Sequence, residues 1–160
     1  MNLHLMTITD AKQAVTWKYP QEYSFYDFED SPETFQELLD GTYYAVRDNH
    51  GQLTGFFCFG LNAQVPEGRK QNLYNGENVL VIGLGMKPDL TGKGIGFSFL
   101  KAGIEYAKQQ FEPKYLRLSV ATFNRRAIKV YTRARFKETT SLVNNGTPFI
   151  VMTMDVENLG

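Results

Sequence analysis

Glycines recur at alternate positions in Thr91-Gly92-Lys93-Gly94-Ile95-Gly96, directly ahead of an apolar pattern of helical period. Backbone N–H groups in such a loop can converge on one point beside the helix N-terminus, where unpaired donors and the positive end of the helix dipole favour an anion. A phosphate or pyrophosphate is the guest this chemistry selects, and Lys93 carries a charge able to neutralise it. Spacing alone does not separate the cradle from a plain strand-to-helix turn that uses Gly for positive φ. Two better-known phosphate loops are excluded. G-x-G-x-x-G needs Gly where Phe97 stands, and Walker A needs Gly at Lys87 and Ser or Thr at Gly94. The lone Cys58, with no His near it in sequence, reads as a small buried hydrophobe rather than a nucleophile. It cannot close an internal disulfide, and without a Cys/His cluster at metal spacing no metal is expected.

The elements around the loop must position it. Val79–Met86 (VLVIGLGM) is a continuous apolar run of strand length, which predicts a strand covered on both faces. After the loop, Ile95, Phe99, Leu100, Gly103, Ile104, Ala107 and Phe111 recur at helical spacing until Pro113 stops the pattern. Alternation over 115–120 predicts a half-exposed strand, and Asn124 then caps a helix carrying Ala127, Ile128, Val130 and Tyr131. Two further strands, 136–143 and 148–156, close the chain around an Asn144-Asn145-Gly146 turn. Ahead of the loop, residues 3–8 predict a short strand, and Thr9-Asp10 supplies the cap of a helix over 11–18. Pro20 breaks the aromatic stretch 17–28, and Ser31-Pro32 starts a helix that Gly41 ends. A hairpin of strands 43–47 and 53–60 follows, turning at Asp48-Asn49-His50-Gly51. Residues 61–78 form a polar loop, longer than the roughly 4–6 residues usual for a connection, and such loops are often functional.

The 160 residues predict one domain over 1–160. Seventeen Lys+Arg balance seventeen Asp+Glu, which removes the electrostatic footprint needed to bind nucleic acid through its phosphates. No window approaches the ~18–20 apolar residues of a membrane span, and no basic n-region with a long apolar run opens the chain. A cytoplasmic protein, free of membrane and nucleic acid, is expected.

The glycine loop resembles motif A of the GNAT superfamily of acetyl-CoA-dependent N-acetyltransferases, Gln/Arg-x-x-Gly-x-Gly/Ala after a buried strand. The match is Thr91-Gly92-Lys93-Gly94-Ile95-Gly96, preceded by Gly85-Met86-Lys87-Pro88; Thr91 departs from the Gln/Arg position. Asn124-Arg125-Arg126-Ala127-Ile128-Lys129-Val130-Tyr131, then Arg133-Ala134-Arg135-Phe136, resembles motif B, with Arg135 where Gly is usual at a left-handed helix end. The resemblance implies an α/β (α+β) fold. Its mixed, mostly antiparallel sheet has six to seven strands, with a splayed pair of central parallel strands and about four flanking helices.

The resemblance further implies an enzyme that moves an acetyl group from acetyl-CoA, its cosubstrate, to a primary amine by direct attack in a ternary complex. Leu84, Gly85 and Met86 would pair with the pantetheine arm, a backbone N–H near Met86 polarising the thioester carbonyl. Thr91, Gly92, Lys93, Gly94, Ile95 and Gly96 would hold the pyrophosphate, and Asn124 would touch pantetheine as well as cap its helix. Tyr131, a phenol of reference pKa ≈ 10, would protonate the departing thiolate and contact the cofactor. A base must take a proton from the amine. Ser119 occupies the position where some family members carry a Glu, and Glu77 is the replacement expected. Tyr23 and Tyr26, in the aromatic stretch, are the expected exposed acceptor contacts, with Glu77 beside them. The acceptor would be a small-molecule or peptide amine, and the protein a monomer or homodimer. A non-catalytic acyl-CoA-binding or sensing module is the competing reading, kept alive by Thr91, Ser119 and Arg135.

Overall fold

The computed structural model describes residues 1–158; positions 159 and 160, the last two of the expected domain, lie outside the described residues. Seven strands run in the hydrogen-bonded order β1-β2-β3-β4-β5-β7-β6. Backbone contacts divide the chain into two compact units, 1–58 with 84–95 and 59–83 with 96–158. The strand β4 (Val79–Met86) contributes to both.

In the first unit, β1 (Asn2–Leu5) pairs antiparallel with β2 (Tyr43–Arg47), and β2 pairs antiparallel with β3 (Leu53–Phe59). Helix α1 (Ile8–Ala14) begins three residues earlier than expected, because Thr7 rather than Thr9-Asp10 is its cap. The Thr7 hydroxyl accepts from the Asp10 N–H while the Asp10 carboxylate accepts from the Thr7 N–H, a reciprocal box that fixes the first turn. Asp10 is fully buried and also meets His4 at 2.9 Å and Arg47. Helix α2 (Pro32–Leu38) starts where Ser31-Pro32 places it, the Ser31 hydroxyl accepting from the Thr34 N–H. Phe56 gathers the aromatic stretch: Trp17 stacks on it at 6.4 Å, Phe28 lies at 5.4 Å and Tyr43 at 5.8 Å between ring centroids.

In the second unit, β4 and β5 (Tyr115–Ala121) are parallel, joined by the pairs Val79–Tyr115, Leu80–Leu116 and Val81–Arg117. β5 pairs antiparallel with β7 (Thr147–Asp155), and β6 (Lys137–Asn144) antiparallel with β7. The β6–β7 turn is Asn145-Gly146, with φ +48° and +79°, the two positive values a primed hairpin turn needs. Helix α4 (Gly96–Phe111) buries Phe99, Leu100, Gly103, Ile104 and Ala107, one stripe at helical spacing, while α5 (Arg125–Arg133) buries Tyr131.

Residues 61–78 are not an open loop. They contain helix α3 (Pro66–Lys70), and Val65 and Leu73 pack against Ala121, Leu142, Phe149 and Val151. The Tyr74 hydroxyl lies 2.6 Å from Ser119 Oγ and accepts from the Val65 N–H at 2.9 Å. Arg117 donates to the carbonyls of Leu73 and Asn75. A Cβ on Gly68 would stand 2.8 Å from the Tyr74 hydroxyl, so glycine is what lets that ring lie down. Among the described residues, no helix is long and apolar enough to cross a membrane, and no group of three or more His, Cys, Asp or Glu is placed to hold a metal ion.

Candidate active site

The glycine loop grows out of the end of β4. The parallel ladder with β5 stops at Val81, so Ile82, Gly83, Leu84, Gly85 and Met86 run on beyond it. A Cβ on Gly85 would sit 2.5 Å from the Phe56 ring, which explains a glycine inside a strand. The Met86 carbonyl accepts from the Tyr19 hydroxyl at 2.6 Å, and the Lys87 N–H donates to the Thr54 carbonyl at 2.8 Å. A single 3₁₀ turn, Pro88–Leu90, follows; the Thr91 hydroxyl donates to the Pro88 carbonyl at 2.7 Å and closes it. Thr91 therefore spends its donor within the loop. Gly92 and Gly94 adopt φ +71° and +79°, and no atom lies within 4 Å of a Cβ placed on Gly94. Both glycines are needed for conformation, and the space beside Gly94 is open to a ligand. Lys93, between them, and Ile95, after Gly94, are exposed. Gly96, the first residue of α4, has another reason: its Cβ would meet Val130 of α5 at 3.3 Å.

Helix α5 holds the motif B residues. Asn124 caps it, its Oδ1 accepting from the Ala127 N–H at 3.2 Å. At the other end, the Phe136 N–H donates to the Tyr131 carbonyl and the Arg135 N–H to the Thr132 carbonyl, both at 3.0 Å, with the Tyr131 and Phe136 rings 5.9 Å apart. These two bonds and the ring contact are the Schellman termination. Arg135 takes the left-handed position at φ +77°, so the backbone expected of glycine is kept. The termination pins both the carbonyl and the ring of Tyr131, which is 8% exposed. Ser119 is engaged with Tyr74, as described. Glu77 is exposed and stands just ahead of Val79, whereas Met86 closes the other end of the same eight-residue strand.

In the aromatic stretch, residues Gln21–Tyr26 form a 3₁₀ turn. The exposed ring is Phe25, at 47%; Tyr23 and Tyr26, expected to be the exposed ones, are half-buried, and the Tyr26 ring lies edge-to-face with Phe25 at 5.2 Å. Sequence reasoning passed over what comes next. A cavity of about 390 Å³ is lined by Asp27, Glu29, Glu33 and Glu37 with Phe28, Ser31 and Thr34, four carboxylates and no cation. Asp27 accepts from the Tyr19 N–H at 2.9 Å, and Glu37 from the Tyr43 hydroxyl at 2.5 Å. Burial, then Cys58 and Glu37, push the Tyr43 phenol well above its ordinary pKa, so it stays a donor. A signal existed: between Lys18 and Arg47 there is no Lys or Arg, but Glu22, Asp27, Glu29, Asp30, Glu33, Glu37 and Asp40 all fall there.

A strand whose parallel pairing ends at Val81, a left-handed glycine loop and a buried tyrosine on a capped helix are what the resemblance to acyl-CoA-dependent transferases implies. The family model described as the acetyltransferase (GNAT) family matches residues 9–136, and the chain belongs to that family. Among solved structures, the spermidine N-acetyltransferase of Vibrio cholerae, in complex with CoA and spermine, is similar at TM-score 0.75 and 16% identity, covering 99% of this chain and 96% of that one. A GNAT-family acetyltransferase of Bacillus anthracis is similar at TM-score 0.74 and 12% identity, covering 98% and 95%. The Vibrio cholerae spermidine/spermine N-acetyltransferase in complex with manganese ions gives TM-score 0.69 at 15% identity, covering 98% and 92%. No curated protein matches the chain.

Proposed function

We propose that this protein acetylates a primary amine of a multiply charged linear cation, using acetyl-CoA and direct attack in a ternary complex. The carrying observation is the loop after β4, where two left-handed glycines follow a strand whose parallel pairing has already ended. Its residues fit the cosubstrate: Gly92 and Gly94 take the left-handed φ of an anion-cradling turn, and the space at Gly94 leaves room for an anion. Acetyl-CoA supplies the acyl group as a thioester. The backbone of Leu84, Gly85 and Met86 binds its pantetheine amides and polarises the carbonyl. The N–H groups between Thr91 and Gly96, with the Lys93 charge, hold its pyrophosphate. Asn124 adds a pantetheine contact while capping α5, and Tyr131 gives its phenolic proton to the departing sulfur as the C–N bond forms and the C–S bond breaks. The proton shed by the amine nitrogen restores the phenol through water.

The four-carboxylate cavity supports a polycationic acceptor, since several ammonium groups can each meet an anion there. A spermidine-like amine fits that chemistry better than an acidic or neutral peptide N-terminus, with Tyr23 and Tyr26 offering apolar surface to the methylene chain. Thermal-shift titration tests the cosubstrate: acetyl-CoA at about 100 times its Kd should stabilise the protein by about 2.7 kcal/mol. Thiol release measured against a panel of amines then tests the acceptor, with spermidine expected to exceed a monoamine of similar length. Binding of CoA without turnover on any amine would favour the non-catalytic module instead.

A further inference from the structure

Tyr19 makes two hydrogen bonds in opposite directions. Its N–H reaches Asp27, a wall of the acidic cavity, at 2.9 Å, and its hydroxyl reaches the carbonyl of Met86, at the end of β4, at 2.6 Å. Pro20 follows it and opens the 3₁₀ turn, with the Tyr23 N–H on the Pro20 carbonyl and the Asp27 N–H on the Ser24 carbonyl, so the chain from 19 to 27 is tied end to end. Two residues earlier, Trp17 stacks on Phe56, the ring that lies against Gly85. Tyr19 thus fastens the segment to Met86 of β4, and Trp17 fastens it to Phe56 of β3, the ring that lies beside Gly85 of β4.

We infer that Tyr19 is a positioning residue: it fixes the acidic wall that receives the amine relative to the strand end that holds the thioester. The inference rests on the proposed function and adds a residue outside both the glycine loop and the Asn124–Tyr131 motif. A hydrogen bond from a phenol to a backbone carbonyl sets distance without touching the reacting atoms, and small displacements of reacting groups are costly in rate. Removing it leaves both binding surfaces present and their alignment loose.

Tyr19→Phe deletes the hydroxyl and keeps the ring. With a linear polyamine as acceptor, kcat should fall about tenfold, while KM for acetyl-CoA and the melting temperature stay near those of the unaltered protein. Amide hydrogen exchange should quicken together in peptides covering 24–30 and 84–90, where a local packing defect would quicken only one. An unchanged kcat, or unchanged exchange in either peptide, overturns the inference; so does a variant that loses its cooperative melting transition, because Tyr19 would then act through stability. Failure of the unaltered protein to transfer acetyl to any amine defeats the function itself and the positioning role with it. The exchange measurement needs no substrate and still decides whether Tyr19 fastens the two segments.

Discussion

Arg135 sits at φ +77° in the position that closes α5, a conformation L side chains enter at a cost of about 1 kcal/mol. The chain keeps the termination because the Phe136 N–H and ring both need the Tyr131 end of the helix. Arg135→Gly should therefore stabilise the protein by about 0.5–1 kcal/mol, read as a rise of about 2 °C in melting temperature, without altering turnover. Tyr131→Phe should do the reverse: CoA binding within about twofold and turnover lowered by about 100-fold, measured by thiol release. Unchanged turnover would remove the phenol from the mechanism. Gly94→Ala adds a side chain at φ +79°, so acetyl-CoA affinity should drop more than the melting temperature does.

At the scale of elements, the long regular ones were legible because their signals are local. The apolar run of β4 and the period of α4 give the same limits in sequence and structure to within two residues. The segment 61–78 was not legible. Its polar composition reads as loop, yet a single tyrosine and an arginine two strands away dock it. Gly68→Ala would drive a methyl group into the Tyr74 ring and should destabilise the fold by about 1–3 kcal/mol, measured by urea unfolding. Helix α1 was mis-started for a related reason. Thr9-Asp10 looks like a cap, but Asp10 is already the third helical residue, held inside by Thr7, His4 and Arg47.

For the whole molecule, a net charge of zero conceals an uneven distribution. On the proposed function the acidic stretch from Glu22 to Asp40 receives the acceptor, and KM for a linear polyamine should then rise with ionic strength while that for a monoamine changes little. Glu33→Gln should raise the polyamine KM about two- to fivefold. Acid stability turns on Asp10. Burial alone would raise its carboxyl, but bonds from Thr7, His4 and Arg47 outweigh that and hold it at about 2, below its ordinary 3.8. A depressed folded value means that the ionised group stabilises the fold above about pH 5, and that about 2 kcal/mol is lost as pH falls from 4 toward 2. Asp10→Asn should flatten that acid limb in urea midpoints measured from pH 6 to pH 3.

By itself, the sequence determined what depends on neighbours in the chain: the strand, the glycine loop, the capped helices and, through two motifs at their spacing, the family. Tertiary structure decided what depends on residues far apart. It seated Tyr19 on Met86, docked residues 61–78 through the bonds of Arg117 to Leu73 and Asn75, and moved exposure from Tyr23 and Tyr26 to Phe25. Helical and strand periods are written in local spacing, whereas a hydrogen bond spanning 67 positions or a ring laid across a glycine exists only once the chain has closed on itself.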